Sequence, residues 1–217
     1  MATIDWANQE VPLALGIVPV GMSKMTWGDD DGDGIQPWVE KRLDELGGEQ
    51  PVLFDESDGY DFEAIDGTNP DVILAGYSGM TKEDYETLSQ IAPVVPVPEG
   101  GEPWATPWRE SLMINAKGLG MEEEGKKLVA EMEAQIATAV EANPVLKDKN
   151  AAFLTHIDPT DLSEVNFYSG EDTRARFLED LGLKTAPSIV ENTTKGQYNG
   201  SISTENAELR RSEPPDA

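Results

Sequence analysis

The N-terminal half of the chain alternates short apolar segments with amphipathic helical ones, and few folds accommodate that order. Residues 71–75 (DVILA) predict a strand, because an unbroken apolar run follows Asp71, as expected in a parallel sheet that is covered on both faces. The other predicted strands cover residues 2–5, 17–22, 51–54 and 94–97, and the predicted helices cover 6–15, 37–46, 61–66 and 81–92. This alternation predicts an α/β fold on a parallel sheet with right-handed crossovers.

The middle of the chain interrupts this pattern with two consecutive helices. Residues 108–120 predict one helix, and residues 121–144 predict a longer one that stops at Pro144. The β/α pattern then resumes with strands over 151–157 and 164–169, a helix over 173–182 and a loop-rich stretch containing QYNGSIST. We therefore expect two β/α lobes joined by a long helix, the second lobe incomplete because it has only two predicted strands.

Charge and missing residue types exclude several classes of function. The 217 residues include 42 acidic and 16 basic side chains, a net charge of −26, which argues against nucleic acid as a partner. Cysteine is absent, which removes disulfides, thiol catalysis and Cys-ligated metal centres, and the single histidine, His156, cannot build a multi-histidine metal site. No apolar run approaches the roughly 20 residues that span a bilayer, and the first residues lack the pattern of a signal peptide.

The segment GDDDGDG is the most conspicuous local motif. Its acidic residues and one beyond it stand at positions 1, 3, 5 and 12 of an EF-hand calcium loop: Asp29, Asp31, Asp33 and Glu40. The surroundings depart from that motif, because Pro37 stands at position 9 and no helix is predicted before the loop. An acidic turn between a strand and a helix is therefore favoured, with a weak calcium site as the alternative.

Five aromatic residues each follow a predicted strand: Trp6, Trp27, Tyr77, Trp104 and Trp108. The carboxyl ends of parallel strands meet at one edge of the sheet, here called the carboxyl edge, where α/β proteins bind ligands. Aromatic side chains converging there predict a pocket for a bulky, partly apolar ligand. Trp6 suits a core position equally well, and Trp38, on the apolar face of its helix, is predicted to lie in the core.

Few cations accompany these aromatic residues. Arg109 suits a role in holding carbonyl or carboxylate oxygens through two hydrogen bonds, with pairing to a neighbouring glutamate as the equal alternative. Arg174, at the start of a second-lobe helix, is a further candidate. His156 with Asp158 or Asp161 leaves an α/β enzyme as an alternative, although no Gly-x-Ser-x-Gly nucleophile motif accompanies them.

The order of these segments resembles the iron–siderophore substrate-binding proteins of ABC importers. The matching segments are DWANQEVPLALGIVPVGM, DGDGIQPWV, NPDVILAGYSGMTKEDYETLSQIAPVV, PWATPWRESLMINAKGLG, the long helix and RARFLEDLG, within residues 2–209. The resemblance implies two Rossmann-like lobes, residues 1–118 and 146–217, joined by a rigid backbone helix within 119–145. It also implies a binding protein rather than an enzyme, with a ferric siderophore bound in the cleft between the lobes and no covalent cofactor.

The resemblance also assigns residues to the site. Tyr77 and Ser78 match the family's pocket loop, Trp108 and Arg109 match its aromatic and basic wall, and Tyr198 matches a second-lobe loop that faces the ligand. With the candidates above, the predicted ligand-binding set is Trp27, Tyr77, Ser78, Trp104, Trp108, Arg109, Arg174 and Tyr198. Family members dock on their permease through one surface glutamate per lobe, and Glu83 and Glu205 match these positions.

Exported members of this family carry a signal peptide and often a lipid anchor on a cysteine, neither of which this sequence contains. We therefore expect an extracytoplasmic protein whose sequence is truncated at both ends and which meets the membrane only through its permease or a missing lipid anchor. Haem or a corrinoid is an alternative ligand, and a calcium-binding interaction domain is an alternative role. The net charge of −26 disfavours highly anionic ferric tricatecholates, so a neutral or cationic hydroxamate chelate is favoured.

Overall fold

The computed structural model describes residues 1–155 and 163–204. The chain divides into two compact units, Met1–Glu133 and Ala134–Ala217. The boundary falls inside a long helix, α6 (Glu122–Ala142), which covers most of the helix predicted from the sequence. Among the described residues, no helix has both the length and the apolar character needed to cross a membrane.

The first unit is built on a five-stranded parallel sheet, as predicted. Its strands are β1 (Ala2–Thr3), β2 (Gly21–Ser23), β3 (Val52–Phe54), β4 (Ile73–Leu74) and β5 (Val94–Val95). The strands lie side by side in the order β3-β2-β1-β4-β5, and every pairing is parallel. The winding direction therefore reverses between β1 and β4, and doubly wound sheets bind ligands at the carboxyl edge near such a reversal.

Helices connect these strands and begin where local sequence signals place them. They are α1 (Glu10–Ala14), α2 (Pro37–Leu46), α3 (Phe62–Gly67), α4 (Lys82–Ile91) and α5 (Trp108–Gly118). A capping box begins α4, because the Thr81 hydroxyl accepts from the Asp84 backbone N–H and the Asp84 carboxylate accepts from the Thr81 backbone N–H. Gly47 ends α2 in the left-handed conformation, with φ of 68°, that glycine adopts most easily.

Two clusters of apolar side chains form the core of the first unit. One joins Ile73 and Phe54 of the sheet to Ile65 of α3 and Leu88 of α4. The other joins a sheet methionine to α1 and α2, through Met22, Leu13, Val39 and Leu43. Helices therefore pack on the sheet in two groups, the arrangement of a doubly wound α/β unit.

The prediction that Trp38 lies in the core is wrong. Its side chain is 53% exposed, and its indole N–H donates to Glu10 Oε1 at 3.0 Å. Val39 and Leu43, four residues apart, form the buried stripe of α2, and Trp38 lies about 100° around the helix from Val39. A tryptophan at the border of the apolar face keeps its polar N–H at the surface, where it finds a partner.

The second unit contains more strands than the sequence predicts. Beside α7 (Thr173–Asp180) and α8 (Pro187–Asn192), it has β6 (Asn150–Ala151), β7 (Phe153–Leu154), β8 (Glu164–Tyr168), β9 (Lys184–Thr185) and β10 (Asn199–Ser203). Strands β6 and β9 pair in parallel, whereas β10, β8 and β7 form an antiparallel sheet in that order. QYNGSIST thus contains a strand rather than a loop, hidden from the sequence pattern because Ile202 is its one large apolar residue.

Candidate ligand-binding site

The loops that leave β4 and β5 meet at the carboxyl edge of the first unit. Tyr77 and Ser78, which follow β4, are buried, and Trp104, which follows β5, is half-buried. The Tyr77 and Trp104 rings pack edge to face with their centroids 5.5 Å apart. The Trp104 backbone N–H donates to the Ser78 carbonyl at 3.2 Å. The structure therefore brings three of the predicted site residues into direct contact.

Gly79 allows this contact. A Cβ atom on Gly79 would lie 2.5 Å from Trp104 Nε1, closer than any side chain tolerates, so the indole rests directly on glycine backbone. Trp104 itself has a φ of 61°, and Asp5 (60°) and Ala7 (66°), after β1, share this left-handed conformation. Such residues cost about 1–3 kcal/mol each and collect at functional sites. Three of the four left-handed non-glycine residues described in the first unit thus lie on two loops of the carboxyl edge, and the fourth, Asn69, precedes β4.

Trp108 and Arg109 stand at the start of α5. The Arg109 guanidinium lies over the Trp108 ring, 4.3 Å from its centroid, and Nε donates to Glu133 Oε1 at 2.7 Å. Arg109 therefore forms an ion pair with a glutamate of α6, and its predicted role in holding a ligand stays a prediction. Of the other tryptophans, Trp27, after β2, is 66% exposed, and Trp6 is half-buried.

In the second unit, Arg174 is held by two neighbours. Its guanidinium lies 3.7 Å from the centroid of the Tyr168 ring and makes hydrogen bonds of 2.9 and 2.7 Å to the two carboxylate oxygens of Asp172. Asp172 is fully buried and also caps α7 by accepting from the Arg174 backbone N–H at 2.8 Å. The carbonyl of half-buried Tyr198 accepts from the Ser169 N–H at 2.8 Å, so its backbone joins the end of β8 to the start of β10.

The structure also places a carboxylate pair at the carboxyl edge that the sequence analysis missed. The Asp5 backbone N–H donates to Glu56 Oε2 at 3.0 Å, and the Tyr60 hydroxyl donates to Asp5 Oδ2 at 2.7 Å. Burial raises the pKa of Asp5 to about 6, and burial together with the nearby Asp5 charge raises the pKa of Glu56 to about 7. Asp5 and Glu56 follow β1 and β3, so the rule that found the aromatic residues also applies to them.

We expect the first unit to lose stability as pH rises from about 4.5 to 7, because its folded state holds protons on Asp5 and Glu56 that the unfolded chain releases. Replacing Glu56 with glutamine keeps an acceptor for the Asp5 N–H but removes one titrating group. Since one pKa unit corresponds to about 1.4 kcal/mol, Glu56→Gln should raise the free energy of unfolding at pH 7.5 by on the order of 2 kcal/mol and change it little at pH 4.5.

Denaturant unfolding at both pH values, followed by tryptophan fluorescence, measures this difference, because all five tryptophans lie within the first unit. Glu49→Gln is the matched control, since it removes the same charge from an exposed position. If the free energy of unfolding depends on pH equally in the wild type and in Glu56→Gln, the raised pKa of Glu56 is contradicted.

The acidic loop forms a compact turn. Carboxylate oxygens of Asp29, Asp31 and Asp33 lie within 4.8 Å of one another, while Glu40 lies in the first turn of α2. The Asp29 carboxylate accepts from the backbone N–H groups of Gly32 and Gly34, both at 2.8 Å, and the Gly34 bond most strongly lowers the pKa of Asp29. These hydrogen bonds account for the clustering as an Asp-rich turn, which is the favoured interpretation.

Four residues named in the sequence analysis lie outside the described part of the chain: His156, Asp158, Asp161 and Glu205. The α/β-enzyme alternative and the second docking glutamate therefore remain predictions. The remaining candidates divide between the two units: Trp27, Tyr77, Ser78, Trp104, Trp108 and Arg109 belong to the first, and Arg174 and Tyr198 to the second.

A doubly wound unit with aromatic loops at its carboxyl edge, a long helix and a second α/β unit define the class of bilobal solute-binding proteins. The chain belongs to the periplasmic binding protein family, whose model matches residues 1–216. A comparison with curated proteins gave no match.

Solved structures agree with this assignment. The chain is 46% identical to Streptococcus pneumoniae TIGR4 PiaA, determined in complex with ferrichrome, with a TM-score of 0.85 over 94% of this chain and 67% of that one. A periplasmic solute-binding protein from Mycobacterium smegmatis matches at 25% identity and a TM-score of 0.71, over 86% of this chain and 63% of that one. Staphylococcus aureus SirA shares the fold at 20% identity and a TM-score of 0.70, over 95% of this chain and 70% of its own. The chain thus spans about two thirds of the length of these relatives.

Proposed function

We propose that this protein captures a ferric siderophore outside the cytoplasm and delivers it to the permease of an ABC importer. The observation that carries the proposal is the 46% identity to PiaA, whose structure contains ferrichrome. PiaA is an iron-uptake ABC transporter substrate-binding protein. A second structure of it matches this chain at 45% identity and a TM-score of 0.80, over 95% of this chain and 67% of that one.

The carboxyl edge of the first unit supports this proposal. Half-buried Trp104 offers aromatic surface to the organic shell of a chelate, and the buried Tyr77 ring packs against the indole. Trp27, Trp108 and Arg109 of the first unit and Arg174 and Tyr198 of the second remain ligand contacts predicted from the sequence. The chelator supplies the iron ligands, so the protein binds the complex without coordinating the metal.

Charge favours one class of chelate. A net charge of −26 repels ferric tricatecholates, which are strongly anionic, more than it repels neutral ferric trihydroxamates. Ferrichrome, the compound in the PiaA structure, is the first ligand to test.

Titration with ferric ferrichrome, followed by tryptophan fluorescence, tests the proposal. We expect strong quenching, because all five tryptophans lie in the unit that carries the aromatic site. Iron-free ferrichrome at the same concentrations is the control. The other compounds to titrate are a ferric tricatecholate, ferric citrate, haem and a corrinoid. Tight binding of a tricatecholate but of no hydroxamate would contradict the preference for hydroxamates. Binding of haem or a corrinoid alone would favour that compound as the ligand instead of a siderophore. Absence of binding to every chelate would contradict the function.

Glu83 is the proposed docking residue of the first unit. It is exposed in the first turn of α4, where a carboxylate is also favoured by the helix dipole. We expect Glu83→Arg to leave ferrichrome affinity unchanged and to reduce uptake through the cognate permease about tenfold, because reversal of a rim charge acts on association with the partner. Exposed Glu49→Arg is the matched control, and equal uptake by the two variants would contradict the docking role.

A further inference from the structure

We propose that Asn8 is a positioning residue for the ligand site, and that its amide holds the Tyr77 loop (residues 76–79) in its binding conformation before a ligand arrives. This inference rests on the proposed function, because it concerns the same site. Asn8 lies on the loop after β1 and Tyr77 on the loop after β4, and the winding of the sheet reverses between these two strands. The two loops leave the sheet at this reversal, the place where doubly wound sheets bind ligands.

The Asn8 side chain is fully buried and uses its whole hydrogen-bonding capacity. Its Nδ2 donates to the carbonyl oxygens of Ile4 and Tyr77, both at 2.8 Å. Its Oδ1 accepts from the Tyr77 backbone N–H at 3.1 Å and from Asn115 Nδ2 at 3.2 Å. One side chain therefore binds both backbone groups of Tyr77, as a strand partner would, at a point where the sheet has ended.

The contacts of Tyr77 carry this constraint to the aromatic residues. The Tyr77 ring packs on Trp104, and the next carbonyl, that of Ser78, accepts from the Trp104 N–H. Asn115 belongs to α5, so the same amide also joins the two loops to that helix. Asn8 thereby links the loops after β1, β4 and β5, although its own side chain is too deeply buried to touch a ligand.

The backbone before Asn8 explains why such an anchor is needed. Asp5 and Ala7 both adopt the left-handed conformation, which persists only where surrounding contacts hold it. A loop that is already ordered spares the ligand the cost of ordering it, and affinity rises accordingly. Loss of the Asn8 bonds should therefore loosen residues 76–79 in the ligand-free protein and weaken binding through Tyr77.

Asn8→Asp tests this inference, because aspartate has the same shape and still accepts from Tyr77 and Asn115 but turns an oxygen toward the Ile4 and Tyr77 carbonyls. We expect faster amide hydrogen exchange at residues 76–79 without ligand, and a dissociation constant for ferric ferrichrome raised about 30-fold. Asn69→Asp, at an exposed site, adds the same charge and should change neither. If Asn8→Asp fails to fold, Asn8→Ser replaces it, since serine is too short to span both Tyr77 groups.

A double-mutant cycle separates positioning from general stability. In a Tyr77→Ala background the same Asn8 substitution should weaken binding less than about threefold, because its effect acts through the missing ring. An equal loss in both backgrounds would overturn the inference, as would unchanged exchange at residues 76–79. If Asn8→Asp speeds exchange at residues 76–79 but the wild-type protein binds no chelate, only the proposed function is overturned. The role of Asn8 in ordering the loop then stands, because exchange is measured without ligand.

Discussion

Replacing Trp104 with alanine is expected to weaken binding of ferric ferrichrome about 100-fold, equivalent to about 2.7 kcal/mol. The indole packs against the Tyr77 ring and lies on the backbone of Gly79, so its removal takes away aromatic surface and also leaves the Tyr77 ring without its edge-to-face partner. Isothermal titration calorimetry measures the change without relying on the tryptophan that has been removed.

Gly79→Ala provides a second variant that leaves the indole in the protein but displaces it. Its Cβ would lie 2.5 Å from Trp104 Nε1, so the ring must move, and we expect a loss of affinity of about tenfold or more. Gly67→Ala is the matched control, because a Cβ at Gly67 meets no atom within 4 Å. Wild-type affinity in both Trp104→Ala and Gly79→Ala would exclude Trp104 from the ligand site.

The parallel sheet of the first unit was predictable because its signals are local. Unbroken apolar runs such as residues 72–75 identify strands covered on both faces, and the Thr81 capping box and Gly47 mark helix ends through contacts within a few residues. The carboxyl-edge rule then brings Tyr77 and Trp104 together although they lie 27 positions apart along the chain. This part of the site follows from topology alone.

Features that depend on distant contacts were not predictable. Strand β10 has one large apolar residue, Ile202, and is recognised only through its pairing with β8. The exposed position of Trp38 reflects competition with Val39 and Leu43 for the same core. Likewise, the four hydrogen bonds of Asn8 reach from Ile4 to Asn115, so no window of sequence around Asn8 contains its partners.

Asp172→Ala is expected to lower the free energy of unfolding of the second unit by about 3 kcal/mol, because it removes a helix cap and a buried ion partner together. Asp172 is fully buried and makes two hydrogen bonds to the Arg174 guanidinium, whose side chain is 32% exposed and keeps partial access to water. Asp172→Asn separates the two effects, since asparagine caps helices as well as aspartate but carries no charge.

The loss of stability in the second unit can be detected only with a probe that reports on that unit. Tryptophan fluorescence reports on the first unit, which contains every tryptophan, so the unfolding of the second unit has to be followed by hydrogen exchange at residues 164–204. Glu191→Ala, at an exposed position on α8, is the matched control. Exchange in Asp172→Ala that matches Glu191→Ala would contradict the stabilising role of Asp172. Faster exchange with an unchanged tryptophan transition would show that the second unit loses stability independently of the first.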